Sequence, residues 1–109
     1  MAPQILTALR LHSLLRYESD TGVFTWRIRS NSRAAKDQRA GCLCKALGYV
    51  LIGIDGKMYY AHRLAWLYVH GKWPGQVIDH INRVRNDNRI CNLRDVSRAV
   101  NNANKRPIL

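Results

Sequence analysis

Asp79 and His80 stand side by side at the end of the short apolar run Val77-Ile78. A carboxylate oxygen can hold a hard cation, and an imidazole titrating near 6.5 can take a proton from water at neutral pH. Asparagines follow: Asn92 comes twelve positions after His80, and Asn101 nine positions after that. Asp, His, Asn and Asn at these spacings can line one small pocket for metal-assisted attack on a phosphodiester. That reaction needs an activated water, neutralised charge on the phosphate and help for the leaving oxygen. A divalent ion serves the last two as Lewis acid and template. The carboxylate of Asp79 and the carbonyl of Asn101 both suit Mg²⁺ or Mn²⁺, and two protein oxygens leave room for phosphate and water. Successive residues of a strand point to opposite faces, so Asp79 and His80 can serve one phosphate only at a twist or a strand end.

The stretch Val77 to Lys105, VIDHINRVRNDNRICNLRDVSRAVNNANK, carries Asp87-Asn88-Arg89 and Asn92-Leu93-Arg94 between these residues. It resembles the HNH (ββα-metal) endonuclease motif, in the form where asparagine replaces the last histidine. The preceding segment Ala61 to Trp66, AHRLAW, recurs in the same subgroup. The resemblance implies His80 as general base, Asp79 and Asn101 as ligands of one divalent ion, and a strand geometry that turns Asp79 and His80 toward one phosphate. It also selects Asn101 over its neighbours Asn102 and Asn104. Asn92 would either orient the imidazole or pin the loop to the strand. Val100 stands where the family often has an acidic capping residue, a departure that touches helix stability more than chemistry.

The elements that must position these residues are legible in part. Ile5, Leu6, Leu9, Leu14 and Leu15 suit an amphipathic helix from about Gln4 to Arg16. After the turn Asp20-Thr21-Gly22, Val23 to Arg29 alternates apolar Phe24, Trp26 and Ile28 with Thr25, Arg27 and Arg29, as a half-buried strand does. Ser30 to Arg39 is polar, basic and aperiodic, and reads as a loop. Gly48 to Ala61 predicts a hairpin around Asp55-Gly56, a dipeptide fitted to the positive φ of a type I′ turn. A helix is predicted from His62 to about His70, stopped by Gly71. Gln76 to Asp79 predicts a strand, Ile81 to Asn92 a long loop, and Leu93 to Val96 a returning strand. Ser97 is placed to cap a helix reaching about Lys105. The expected fold is α+β, with an N-terminal helix and antiparallel strands leading into a C-terminal ββα-metal unit. One domain spans 1–109, in which 1–75 contributes to DNA binding and 76–106 carries the catalytic motif.

Eighteen Lys and Arg against seven Asp and Glu leave a net charge of +11 on 109 residues. Such a bias points to a polyanionic partner, and nucleic acid leads because neutralising phosphates releases counterions. A membrane surface would want the basic residues on one amphipathic helix, whereas these are spread along the chain. The N-terminal apolar run is interrupted by Arg10 and His12, unlike a signal peptide, and no run approaches a membrane span. Cys42, Cys44 and Cys91 fit a reducing, cytoplasmic compartment and read as small core residues; Cys42-x-Cys44 has the wrong spacing for a zinc knuckle, so no structural zinc is expected.

The resulting reading is a small, phage-like HNH endonuclease that hydrolyses double-stranded DNA with Mg²⁺ or Mn²⁺. One site per chain implies nicking. The candidate DNA contacts are Arg83, Arg85, Arg89, Arg94, Arg98 and Lys105 near the site, with Arg27 and Arg29 on the outward side of the basic strand. His62 either touches a phosphate or is a packed or capping histidine. A homodimer, an accessory role beside a larger nuclease, a silent DNA-binding scaffold and RNA as substrate stay open. In larger relatives a DNA-binding module follows the nuclease; none is expected in this chain, so specificity should be low.

Overall fold

The computed structural model describes residues 5–28, 37–75 and 77–96. The expected final helix from Ser97, with Arg98, Asn101 and Lys105, lies outside the described residues, as does Arg29. Within them the fold is α+β.

The first helix, α1, spans Ala8–Leu14, and the side chain of Thr7 caps it by accepting from the Arg10 backbone N–H at 3.1 Å. It is shorter than its hydrophobic pattern predicts. From Leu15 the alternation of buried Leu15 and Tyr17 with exposed Arg16 and Glu18 takes over, giving strand β1 (Leu15–Glu18). Strand β2 (Val23–Trp26) returns antiparallel, with Leu15 opposite Trp26 and Glu18 opposite Val23. It ends before Arg27, and Ile28, expected inside, is 45% exposed. The far edge of β2 is paired as well. Ala40 N–H donates to the Phe24 carbonyl, Trp26 N–H donates to Gln38, and Thr25 bridges Arg39. The end of the basic segment expected as loop therefore runs along the strand and satisfies its free backbone edge.

Strands β3 (Cys42–Cys44), β4 (Tyr49–Ile54) and β5 (Lys57–Tyr60) form an antiparallel sheet in that order. Asp55 and Gly56 take φ of 51° and 80°, the turn expected of that dipeptide. The edge strand β3 was not anticipated. Its position explains why Cys42 is exposed and Cys44 only half-buried; Cys91 is exposed too, so the cysteines are not core residues. Helix α2 (Ala61–His70) starts directly from β5 and ends at Gly71, whose φ of 77° lets its N–H donate to the Leu67 carbonyl.

The last pair is β6 (Val77–His80) and β7 (Leu93–Val96), with Asp79 opposite Arg94 and His80 opposite Leu93. A short 3₁₀ turn, Ile90–Asn92, leads into β7. The core joins Leu11 and Leu14 of α1, Phe24 and Trp26 of β2, Ile52 of β4, Leu64 and Leu67 of α2, and Ile78 and Leu93 of the last hairpin. Trp73 is fixed to the start of the chain by donating its indole N–H to the Leu6 carbonyl at 2.9 Å. The candidate site thus sits on a hairpin whose apolar residues are keyed into one common core.

Candidate active site

Between β6 and β7 the chain makes a loop, residues 81–89, closed by side-chain amides. Asn92 is its clasp. Its carboxamide oxygen accepts from Asn82 N–H at 2.9 Å, and its NH₂ donates to the Asn82 side-chain oxygen and the Asp87 carbonyl, each at 2.9 Å. These three bonds all run to the loop, and Ile81 N–H adds a fourth tie by donating to the Asn92 carbonyl at 2.8 Å. Of the two roles the sequence allowed, this geometry is the pinning of the loop. Arg83 adopts φ of 65° within it.

His80 finds its partner elsewhere. Its Nε2 lies 2.9 Å from the side-chain oxygen of Asn88, and both residues are buried. His62, from the first turn of α2, presents its ring edge-on to His80 with centroids 4.9 Å apart, and Tyr49 of β4 lies 6.1 Å away. Burial pushes the His80 pKa below its usual value. The Asn88 hydrogen bond and the carboxylates of Asp79 and Asp87 oppose that shift, while Arg85 adds to it. His62 is driven further, down to about 3, first by burial and then by the charges of His80 and Arg63. Its Nδ1 is buried without a hydrogen-bond partner among the described residues. A packed histidine was one of its two expected states; its place against His80 was not foreseen.

Asp79 faces a different environment. Arg94, directly across the hairpin, directs Nε and Nη2 to its Oδ2 at 3.1 and 3.0 Å. The pairing follows from register, since side chains of opposed residues lie on one face. Arg94, expected on DNA, is therefore engaged with the candidate metal ligand. Arg89 is engaged too: it forks onto both oxygens of Asp87 at 2.8 and 2.7 Å, which holds the Asp87 carboxyl at about 2. Arg85 lies over the Tyr49 ring at 5.2 Å and donates to the Leu47 carbonyl. Arg27 donates through Nε to the Leu15 carbonyl at 3.1 Å. Arg83 is exposed at the loop surface.

Among the described residues no group of three or more His, Cys, Asp or Glu could hold a metal ion. Asp79 itself offers a carboxylate oxygen, a donor that suits a hard divalent ion. The chemically important residue that sequence reasoning passed over is Asn88. It belongs to the Asp87-Asn88-Arg89 run, but its distance of eight positions from His80 crosses an irregular loop, where no periodicity signals contact.

Residues 59–103 match the HNH endonuclease family model. Among solved structures, the chain resembles the HNH homing endonuclease I-HmuI, described for DNA binding and cleavage, at 26% identity and a TM-score of 0.62. The match covers 84% of this chain and 51% of that one, so the chain spans about half the length of that protein. No curated protein matches.

Proposed function

We propose, from the match of residues 59–103 to the HNH endonuclease family model and the likeness to I-HmuI, that the chain is an HNH-type, metal-dependent DNA endonuclease in which His80 is the general base. The observation that carries this reading is the state of two adjacent residues on β6. His80 is a buried imidazole held by a neutral amide, and Asp79 is a buried carboxylate held by a guanidinium. An imidazole with a lowered pKa is a free base at neutral pH and can accept a proton from an attacking water. One divalent ion, Mg²⁺ or Mn²⁺, would be held by Asp79 and by Asn101, the latter outside the described residues. It would supply charge neutralisation on the phosphate and at the leaving oxygen. Asn92 serves by holding the loop that carries Asn88.

Double-stranded DNA is the proposed substrate, supported by the charge of +11 and by what is described for I-HmuI. Arg83 and Arg85 lie on the loop beside His80 and are assigned to phosphates. One site per chain cuts one strand, so the product is a nick.

A second reading has its own observation. Arg94 neutralises Asp79, as it would in a DNA-binding protein on an HNH scaffold that no longer binds an ion. A supercoiled-plasmid assay with Mg²⁺, Mn²⁺ or EDTA separates the two. Metal-dependent open circles from the wild type, absent with His80→Ala, are the expected result. A salt-sensitive gel shift without cutting under any metal would transfer the assignment to the scaffold reading.

A further inference from the structure

The bond between His80 and Asn88 lies deep in the loop, and the N-terminal hairpin reaches it from behind. Asn88 is 2% exposed. Its backbone carbonyl accepts from the hydroxyl of Tyr17 on β1. Tyr17 itself is buried, with its ring 4.8 Å from Phe24 and 5.6 Å from Tyr68, so the hydroxyl comes from a fixed direction. Burial raises its pKa well above the usual phenol value, so it remains a donor. The β1–β2 turn closes the other side. Gly22, at φ of 73°, lies so near the Asn88–Arg89 peptide that a Cβ there would overlap it. Both braces come from residues 17–22, outside the segment 59–103 that matches the family model.

A carboxamide oxygen can only accept, so the imidazole nitrogen facing it must carry the proton. The other nitrogen then holds the lone pair, and the partner of one ring nitrogen dictates the chemistry of the other. We propose that Asn88 is a positioning residue which, braced by Tyr17 and Gly22 of the N-terminal hairpin, fixes His80 with its proton on Nε2 and leaves Nδ1 as the nitrogen that accepts the proton. The inference deepens the assignment of His80 as general base and rests on it. It also makes the hairpin a working part of the site. A base held in the wrong tautomer keeps its place and loses its chemistry.

Imidazole proton–nitrogen correlation spectra of the full chain, without metal and at mildly alkaline pH, read the tautomer of His80 directly. His80→Ala identifies its signals. In the wild type, Nε2 should be the protonated nitrogen. Asn88→Leu, which removes the acceptor, should shift the signals toward a mixture of tautomers and lower kcat about ten- to a hundredfold, with KM for plasmid nearly unchanged. Asn88→Asp, which restores an acceptor of the same shape, should recover the Nε2–H form and much of kcat at mildly alkaline pH, with the rate profile displaced to higher pH because the new carboxylate raises the His80 pKa. Tyr17→Phe should give a smaller change of the same kind.

A wild-type His80 protonated on Nδ1 would overturn the proposal, as would an unchanged tautomer in Asn88→Leu. If Asn88→Leu does not fold, the wild-type spectrum and Asn88→Asp decide. Normal cleavage by His80→Ala would instead remove the base assignment itself, while the spectra still report whether Asn88 sets the tautomer.

Discussion

Asp79 and His80 are neighbours on one strand, yet their surroundings solve opposite problems. His80 is lodged against an amide, a second buried histidine and a tyrosine ring. Asp79 faces a guanidinium whose side chain is 43% exposed. The contrast fits the roles proposed for the two groups. A general base has to be uncharged before it acts, and burial favours that form. A carboxylate that holds a cation has to stay ionised, which demands a positive partner or access to water. Asn at position 88 suits the first requirement: a carboxylate in its place would pull His80 toward the charged form. Arg94 suits the second, because its half-exposed guanidinium pairs with the Asp79 carboxylate and favours its ionised form.

The largest test of that contrast is to remove each residue and follow two signals. His80→Ala should lower plasmid nicking by about two to four orders of magnitude while leaving Mn²⁺ binding by calorimetry intact. Asp79→Ala should lose both nicking and Mn²⁺ binding. Equal Mn²⁺ affinity in Asp79→Ala and wild type would remove Asp79 from the metal site.

A smaller effect belongs to the neutral side of the pair. His62 has its pKa lowered to about 3, so between about 6.5 and 3 the unfolded chain binds a proton that the folded chain refuses. Stability from this residue is complete above about pH 6.5 and is lost as the pH falls toward 3, by on the order of a few kcal/mol. Urea unfolding at several pH values should have this slope, and His62→Phe should flatten it.

Gly22→Ala tests the brace behind His80. The left-handed backbone and the overlap with the Asn88–Arg89 peptide should cost at least about 2 kcal/mol in denaturant unfolding. Amide exchange should rise more around Asn88 than around Arg94. Equal loosening of both would make the hairpin a general support of the fold.

Arg94→Met should tighten Mn²⁺ binding a few-fold by removing a competing cation from Asp79, measured by calorimetry. A weaker Mn²⁺ affinity would mean that Arg94 helps to shape the ion's site.

Much of this was written in the chain. Asp55-Gly56 dictated its turn because few dipeptides tolerate that backbone. Gly71 stopped α2, and Leu93 to Val96 formed a strand at its expected limits. The family resemblance carried by Asp79, His80 and Asn92 could be read without any coordinates, since the motif is nearly continuous in sequence.

What the sequence could not dictate was partnership across irregular backbone. Helix α1 gave way to β1 at Leu15 because pairing with β2 outweighed a helical pattern that fitted Leu15 equally well. The exposure of Cys42 depended on β3 being an edge strand. Asn88, Asn92, Arg89 and Arg94 are alike as sequence: polar residues in a polar loop and its returning strand. Strand register gave Arg94 to Asp79, and loop closure turned Asn92 inward to hold the chain. The approach of Tyr17, seventy-one positions away, fixed the peptide that points Asn88 at His80. The sequence alone determined which chemical groups this protein has and the local turns that carry them. Only the tertiary structure decided which group each one faces, because a hydrogen-bond partner is set by direction and distance in the folded chain.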